Sequence, residues 1–287
     1  VSTRAIQARV LHLGAGRQSS CMAEMVVLGE LPIMDLVVFC DTGDEPSWVY
    51  RQVDYLSARL ASVGVELVVA KKRSGGLVAD LQSGVGRFAS IPLFTRDELG
   101  KVSRLKRQCT NEYKIEPADG VVIGWLLDHD LAQWVQYSHG PRRRRVRGGV
   151  LTEHYYGISY DEWERAGKRG QGWQVAKYPL IDRKMTTADC IGWLRDRGLP
   201  IPRRSACRIC PYHDDAYWLM LQEHSPEDFA HVCRFDAWLR SPQARSGLLR
   251  NLRDACYVHR SCIPLVDVDF HAAQAAPAEL CGDHCMT

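Results

Sequence analysis

The first seventy residues alternate between two hydrophobic patterns. Val10-Leu11-His12-Leu13 is a short apolar run of buried-strand character, and from Ser20 to Leu28 the apolar Met22, Met25 and Val26 recur at helical spacing. Met34-Asp35-Leu36-Val37-Val38-Phe39-Cys40 predicts a second strand, stopped by Asp41-Thr42-Gly43-Asp44. Pro46 suits the start of a helix running from Ser47 to about Ser62. Val65-Glu66-Leu67-Val68-Val69-Ala70 predicts a third strand. Strand, helix, strand, helix, strand implies a parallel sheet covered by helices on both faces.

Downstream the pattern is less regular. Lys71 to Arg107 is polar and glycine-bearing and predicts a long loop with one short helix. Ile115 to Leu127 reads as a helix after Pro117, Gly140 to Gly149 as a flexible basic loop, and His154 to Ser159 as a strand ending in a loop. Thr186 to Gly198 predicts a helix capped by Thr186 or Thr187 and stopped by Gly198, with Pro200 beyond. Ala216 to Glu223 and Pro226 to Leu239 are further helices, and from Gln274 the chain reads as a mobile tail. Trp125, Trp163, Trp193, Trp218 and Trp238 fall on helix faces as packing residues. The expected architecture is α/β, with a nucleotide-binding domain over residues 1–180. A smaller, mostly helical, cysteine-bearing part follows over residues 181–287.

At 287 residues the chain can bury a full core, and 46% hydrophobic with 25% charged residues is the composition of an ordinary globular protein. No apolar run is long enough to cross a bilayer, so no membrane partner is expected. Val1 to Arg9 lacks an apolar signal core, which leaves a reducing cytosol as the expected compartment. There, closely spaced cysteines serve as metal ligands or redox groups more often than as disulfides. Of the eleven cysteines, Cys21, Cys40, Cys190 and Cys233 sit among apolar neighbours and read as small buried hydrophobes.

The net charge of +3 does not by itself indicate a nucleic-acid binder, but Arg142, Arg143, Arg144, Arg145 and Arg147 crowd one stretch. They suit a nucleic-acid backbone, a solvated loop, or a loop closing over a nucleotide. The aromatic interleaving that single-strand binding uses is thin here.

Two motifs carry more chemistry. Leu13-Gly14-Ala15-Gly16-Arg17-Gln18-Ser19-Ser20 places a glycine loop between a buried strand and a helix. Backbone N–H groups and the positive helix end then meet an anion, with Ser19 and Ser20 as hydroxyl donors. The loop lacks the Gly-Lys-Ser/Thr ending of a Walker A motif and the third glycine of a dinucleotide fingerprint. Asp41-Thr42-Gly43 ends the second strand, where an acid is placed to contact a ribose or a metal. The second motif, Cys207-Arg208-Ile209-Cys210-Pro211, puts two sulfurs on one tight turn. That is half of a four-ligand site, or else a structural thiol pair or a redox dithiol.

Gly14-Ala15-Gly16-Arg17-Gln18-Ser19-Ser20, Asp41-Thr42-Gly43 and Gly157-Ile158-Ser159-Tyr160-Asp161-Glu162-Trp163-Glu164-Arg165 together resemble the phosphoadenosine phosphosulfate (PAPS) reductase / ATP pyrophosphatase family. The likeness spans residues 9 to about 265 and is nearest to the reductase-like branch of phages and actinobacteria. It implies a five-stranded, adenine nucleotide alpha-hydrolase-like sheet. Gly14, Ala15, Gly16, Gln18, Ser19, Ser20, Asp41, Thr42 and Gly43 would then bind ATP or PAPS. Lys114, Arg107 and Arg165 lie in the family-like segments and would neutralise phosphate or sulfate oxygens. Pyrophosphatase members carry an acid in the loop where this chain has Gln18, which weakens the placement of Mg²⁺ for ATP cleavage.

Cluster-bearing relatives hold a 4Fe–4S cluster with an upstream cysteine and a downstream C-x2-C, which here makes Cys109 the third ligand beside Cys207 and Cys210. The reductases carry a Cys-Cys pair upstream, whereas this chain has Cys109 alone. Three ligands leave one iron open to an external sulfide. Zinc, completed by His213 or tail cysteines, is the alternative. Reductases also carry a nucleophilic cysteine in a tail Glu-Cys-Gly-x-His. Cys281-Gly282-Asp283-His284 fits its last four places, with Leu280 separating Glu279. Cys281 reads either as that nucleophile or as part of a cysteine-rich tail that binds metal or has no role.

Three functions follow as expectations. One is ATP-driven sulfur transfer through an adenylated acceptor, with a sulfur donor as partner and a nucleic acid among the acceptors. The second is reduction of PAPS or adenylyl sulfate with a thioredoxin-like reductant. The third is a non-catalytic module binding a nucleotide or, through Arg142–Arg147, a nucleic acid.

Overall fold

The computed structural model describes residues 5–72, 75–84, 91–136, 140–167, 171–247, 249 and 252–273. In chain order the elements are β1 (Ala8–Leu13), α1 (Arg17–Val27), β2 (Leu36–Asp41), α2 (Ser47–Ala61), β3 (Leu67–Lys71) and α3 (Leu77–Ser83). β4 (Phe94–Arg96), β5 (Val102–Arg104), α4 (Glu116–Asp128), β6 (Ala132–Val135), β7 (Arg143–Val146), β8 (Thr152–Tyr156) and β9 (Gln174–Lys177) follow. The remainder is α5 (Pro179–Asp182), α6 (Thr187–Asp196), α7 (Asp215–His224), α8 (Pro226–Trp238), α9 (Pro242–Ser246), β10 (Ala255–Tyr257) and α10 (Phe270–Ala273).

These elements form two compact units that interleave along the chain. The first comprises Val1–Cys40, Trp48–Ala70 and Ile115–Ser205; the second comprises Asp41–Ser47, Lys71–Lys114 and Ala206–Thr287. The chain therefore does not divide once near residue 180, as its sequence suggested. The segments that follow β2 and β3 join the cysteine-bearing part because their backbones bond to each other: the Leu77 N–H donates to the Thr42 carbonyl and the Val78 N–H to the Asp44 carboxylate.

The first unit is the expected α/β layer. Its sheet runs β3-β2-β1-β8-β9. β1 pairs in parallel with β2 (Leu13 opposite Phe39) and with β8 (Leu11 opposite Tyr155), and β8 pairs in parallel with β9. Alternation along the strands feeds two cores. Leu11, Leu13, Val37 and Phe39 pack under α1, α2 and α6, where Met22, Met25, Leu56, Cys190 and Leu194 are buried. Val10, Leu36 and Val38 face α4 through Ala118, Val122 and Leu126. Strand order reverses between β1 and β8, since the chain moves outward to β2 and β3 on one side and to β9 on the other. Ligands of open parallel sheets bind at such a switch point, outside the carboxyl ends of the strands.

A polar chain runs through this sheet. His12 Nε2 lies 2.8 Å from His154 Nδ1, and His154 Nε2 lies 2.8 Å from Thr152 Oγ1. The Thr152 hydroxyl donates to the Trp173 carbonyl. One hydrogen per link satisfies every member with both imidazoles neutral. Burial lowers the His154 pKa to about 4, and burial with the neighbouring His154 lowers that of His12 to about 3.

The helix at Thr186 forms as expected: Thr186 accepts the Asp189 N–H while the Asp189 carboxylate takes the Thr186 N–H, a complete capping box. The expected basic loop is instead partly strand, because β7 pairs antiparallel with β6. Trp163 is 59% exposed rather than packed, whereas Trp218 is fully buried.

The second unit holds a three-stranded sheet, β10-β4-β5, with antiparallel pairs. Two of its strands, β4 and β5, fall where a loop was expected; three-residue strands are too short to show alternation. Buried acids sit among its apolar core residues, which include Trp218, Phe235 and Phe270. Buried Asp236 accepts the N–H groups of Val258 (2.9 Å) and Leu265 (3.0 Å) and pairs with Arg240 at 2.7 Å. Buried Asp215 bonds His259 at 2.7 Å and pairs with Arg260.

Candidate functional site

In the first unit the glycine loop is built by close backbone approach. Gly157, just past β8, lies where a Cβ would stand 2.9 Å from both the backbone N and Cα of Ser19. Gly16 abuts Ser205, whose Oγ would be 2.6 Å from a Cβ. Ala15 takes a left-handed conformation, φ 55°, to turn the chain from β1 into α1. The loop thus sits at the switch point between β1 and β8.

Hydroxyl and amide groups tie the loop. The Gly14 N–H donates to Ser19 Oγ at 3.2 Å. Gln18 Nε2 donates to Thr187 Oγ1 at 3.1 Å and to Ser159 Oγ at 3.5 Å, and the two hydroxyls lie 3.2 Å apart. Gln18 is therefore a structural cross-link from α1 to α6. Ser20 is fully buried, and its Oγ accepts from Gln52 at 3.3 Å. That bond ties Ser20 to α2.

The start of α1 carries an unspent capacity for an anion. Gly16 provides no side-chain cap and the first turn holds no acid. Arg17 Nε is buried without a hydrogen-bond partner among the described residues. Sequence reasoning passed over Arg17 because a single arginine in a glycine loop carries no periodic signal. Arg165, expected at the phosphates, pairs with Glu162 at 2.7 Å.

In the second unit, Cys109, Cys207 and Cys210 line one open pocket of about 430 Å³, together with Thr42, Arg107 and Lys114. Local bonds shape the cysteine turn: the Cys210 N–H donates to the Cys207 carbonyl, and the His213 N–H to the Cys210 carbonyl. Cys207 Sγ lies 3.2 Å from Thr42 Oγ1 and donates to Glu45 Oε1 at 3.5 Å. Burial first, then the Glu45 carboxylate, raise the Cys207 pKa well above the ordinary thiol value, with Lys114 opposing. Lys114 Nζ stands 3.7 Å from buried Glu45.

Asp41 accepts the Gly43 N–H at 2.8 Å and pairs with Lys71 at 2.7 Å. Gly43 presses on Gly76, where a Cβ on Gly43 would come 3.1 Å from the Gly76 Cα. Asp44 bonds His231 at 3.1 Å and stands 3.8 Å from Arg208, which also bonds Asp228 at 2.9 Å. Glu45, Asp44 and Asp228 escaped sequence reasoning, since acids in turns and helix starts are common.

Among the described residues no three His, Cys, Asp or Glu side chains are arranged as a metal-binding cluster. The three cysteines share a pocket and are soft donors, so they fit a soft metal by chemistry rather than by a preformed geometry. His213 Nε2 bonds the Cys207 carbonyl at 2.8 Å. Cys281 and the rest of the tail from Gln274 lie outside the described residues. Among the described residues no helix is long and apolar enough to cross a membrane.

No protein-family model matches the chain, and no curated protein matches it. Sixteen solved chains match, among them the phosphoadenylyl-sulfate (PAPS) reductase from Candida auris in its phosphate complex. That pair shares 11% identity with a TM-score of 0.41, over 69% of this chain and 76% of the other. The likeness concerns the fold at a distance, and the functional reading rests on the residues themselves.

Proposed function

We propose that the chain is an adenine-nucleotide-dependent sulfur-transfer enzyme. The observation that carries this reading is the pocket of the second unit, where Cys109, Cys207 and Cys210 share a wall with Lys114 and Arg107. Sulfur nucleophiles beside fixed cations suit a sulfur atom moving to or from a charged substrate. In the first unit the uncapped start of α1 and the buried Arg17 Nε suit the phosphates of ATP or PAPS.

In the leading reading an acceptor oxygen attacks the α-phosphorus of ATP and pyrophosphate leaves. Sulfur then attacks the acceptor carbon, the C–O bond breaks and AMP leaves with the oxygen. Arg17 and the loop amides stabilise the phosphates, and Lys114 and Arg107 the sulfur-bearing pocket. A cluster or zinc held by Cys109, Cys207 and Cys210 would supply or activate the sulfur; without one, the outer sulfur of a persulfide on one cysteine, loaded by a sulfur donor, attacks the acceptor, and a second pocket cysteine releases the product by forming a disulfide that an external thiol reductant reopens.

The test is anaerobic purification followed by assays for iron, zinc, acid-labile sulfide and cyanide-releasable sulfur, with ATP and PAPS titrations alongside. Metal or transferable sulfur lost in Cys207→Ser and Cys210→Ser, together with ATP binding weakened about tenfold in Arg17→Met, supports the reading. Bare thiols with no transferable sulfur overturn it. Thioredoxin-dependent sulfite release from PAPS, abolished in Cys281→Ser, replaces it with the reductase reading.

A further inference from the structure

The β6–β7 ribbon has two unlike faces. Antiparallel register sets Ala132 opposite Val146 and Trp134 opposite Arg144 on one face, and Gln133 opposite Arg145 and Val135 opposite Arg143 on the other. The first face is covered in part by α4. Ala132 and Val146 join the core beneath α4, and Arg144 Nη1 donates to the Gly120 carbonyl at 2.8 Å. The Arg144 guanidinium also lies against Gly124, on the same helix. Arg144 is thus spent in holding the ribbon to α4.

The second face is exposed at Gln133, Arg143 and Arg145. Strand geometry sets Arg143 and Arg145 about 7 Å apart on that face. Arg142 and Arg147, also exposed, extend the charge at either end of β7, and no acid occurs between Leu131 and Val150 in the sequence. A row of exposed guanidinium forks suits a polyanion with regularly spaced phosphates.

The form of the ribbon selects among polyanions. Stacking of single-stranded bases uses a series of exposed aromatics. The ribbon offers one, Trp134, on its other face, 53% exposed and with Arg142 over its ring at 5.9 Å, against a row of arginines on the second face. A two-stranded ribbon fits the major groove of B-form DNA, whereas the narrow major groove of A-form RNA excludes it. We propose that the exposed face of the β6–β7 ribbon binds duplex DNA, with Arg143 and Arg145 on backbone phosphates.

The experiment is fluorescence anisotropy of the full chain with a labelled duplex DNA across a series of salt concentrations. The expected result is binding that weakens steeply with salt. In Arg143→Ala/Arg145→Ala the slope of log affinity against log salt should shrink by about 1.8, or about 0.9 for each phosphate no longer neutralised. Arg51→Ala, removing an exposed arginine on α2, should leave the slope unchanged, and thermal melts establish that each variant is folded. Absence of binding by the wild type, an unchanged slope in the double variant, or tighter binding of an RNA duplex or a single strand of the same sequence would each overturn the proposal.

Discussion

The glycine loop of the first unit and the cysteine pocket of the second are both anchored by glycines pressed against backbone, Gly157 on Ser19 and Gly43 on Gly76. They differ in what surrounds those anchors. The loop is tied by hydroxyls, an amide and main-chain groups, with Gln18, Ser159 and Thr187 at its centre. The pocket is lined mostly by apolar side chains and cysteines, with Arg107 and Lys114 as its charged lining residues and Lys114 3.7 Å from Glu45. The hydrogen-bonded cradle leaves the positive end of α1, opened by Arg17, unspent for an incoming anion. In the pocket burial chiefly raises the Cys207 thiol, with Glu45 adding to it and Lys114 opposing. The two units should therefore fail under different insults.

The largest expected effect lies in the second unit. Asp236→Ala would strip the partner from Arg240 and from two buried N–H groups, those of Val258 and Leu265. Removing one member of such a buried network costs about 3–5 kcal/mol. Asp236→Asn keeps an acceptor oxygen and should lose less. Urea unfolding of both variants checks this. If Asp236→Ala costs under about 1 kcal/mol, charge does not organise this unit.

The matching insult to the first unit is steric. A methyl on Gly157 meets the Ser19 backbone, which cannot step aside, so Gly157→Ala should cost about 1–3 kcal/mol and weaken ATP binding. Gly16→Ala meets only the Ser205 hydroxyl, which can rotate away, and should cost less. Unfolding midpoints and ATP titrations of the two variants decide it; equal losses would mean that the loop rests on something other than main-chain contact.

Much of this contrast was legible in the chain, and the rest was hidden for physical reasons. The run Val10–Leu13 with its glycines disclosed β1 and the start of α1, since burial and turn geometry act locally. Cys207 and Cys210 disclosed their turn by spacing alone, and Cys109 joins them on one pocket wall. The interleaving of the units was not legible, because it rests on bonds such as Leu77 N–H to the Thr42 carbonyl that any two residues can make. The β6–β7 ribbon was hidden by its own arginines, which read as a loop until their partner strand is known. The bond from Gln52 to Ser20 was not legible either, because the two residues stand 32 apart in the chain.

Acidification sharpens the comparison next. The folded pKa of His154, about 4, lies below the value of 6.5 for a free imidazole. As pH falls below the free value the unfolded chain takes up a proton that the folded chain refuses, so stability drops until the folded value is reached. Between about pH 7 and pH 5 this costs about 2 kcal/mol from His154 alone. His12, lowered to about 3, adds in the same direction. Unfolding midpoints at the two pH values, with imidazole resonances followed by NMR, check it. A His154 resonance titrating near 6.5 would refute the neutral chain through the sheet.

The smallest expected effect bears on the glutamine of the glycine loop. Gln18 Nε2 donates to Ser159 and Thr187. A carboxylate cannot donate, and both hydroxyls also hydrogen-bond the Asp161 carboxylate. Gln18→Glu should therefore break the cross-link and set a second carboxylate on the same hydroxyls, costing about 1 kcal/mol or more, whereas Gln18→Leu loses only the amide's bonds and costs about 1 kcal/mol. Comparing the two unfolding midpoints tests whether the cradle is held by hydrogen-bond geometry or by the absence of charge. A Glu variant more stable than the Leu variant would show that neutrality itself is not required, and would make the glutamine a tolerated feature of the loop rather than a selected one.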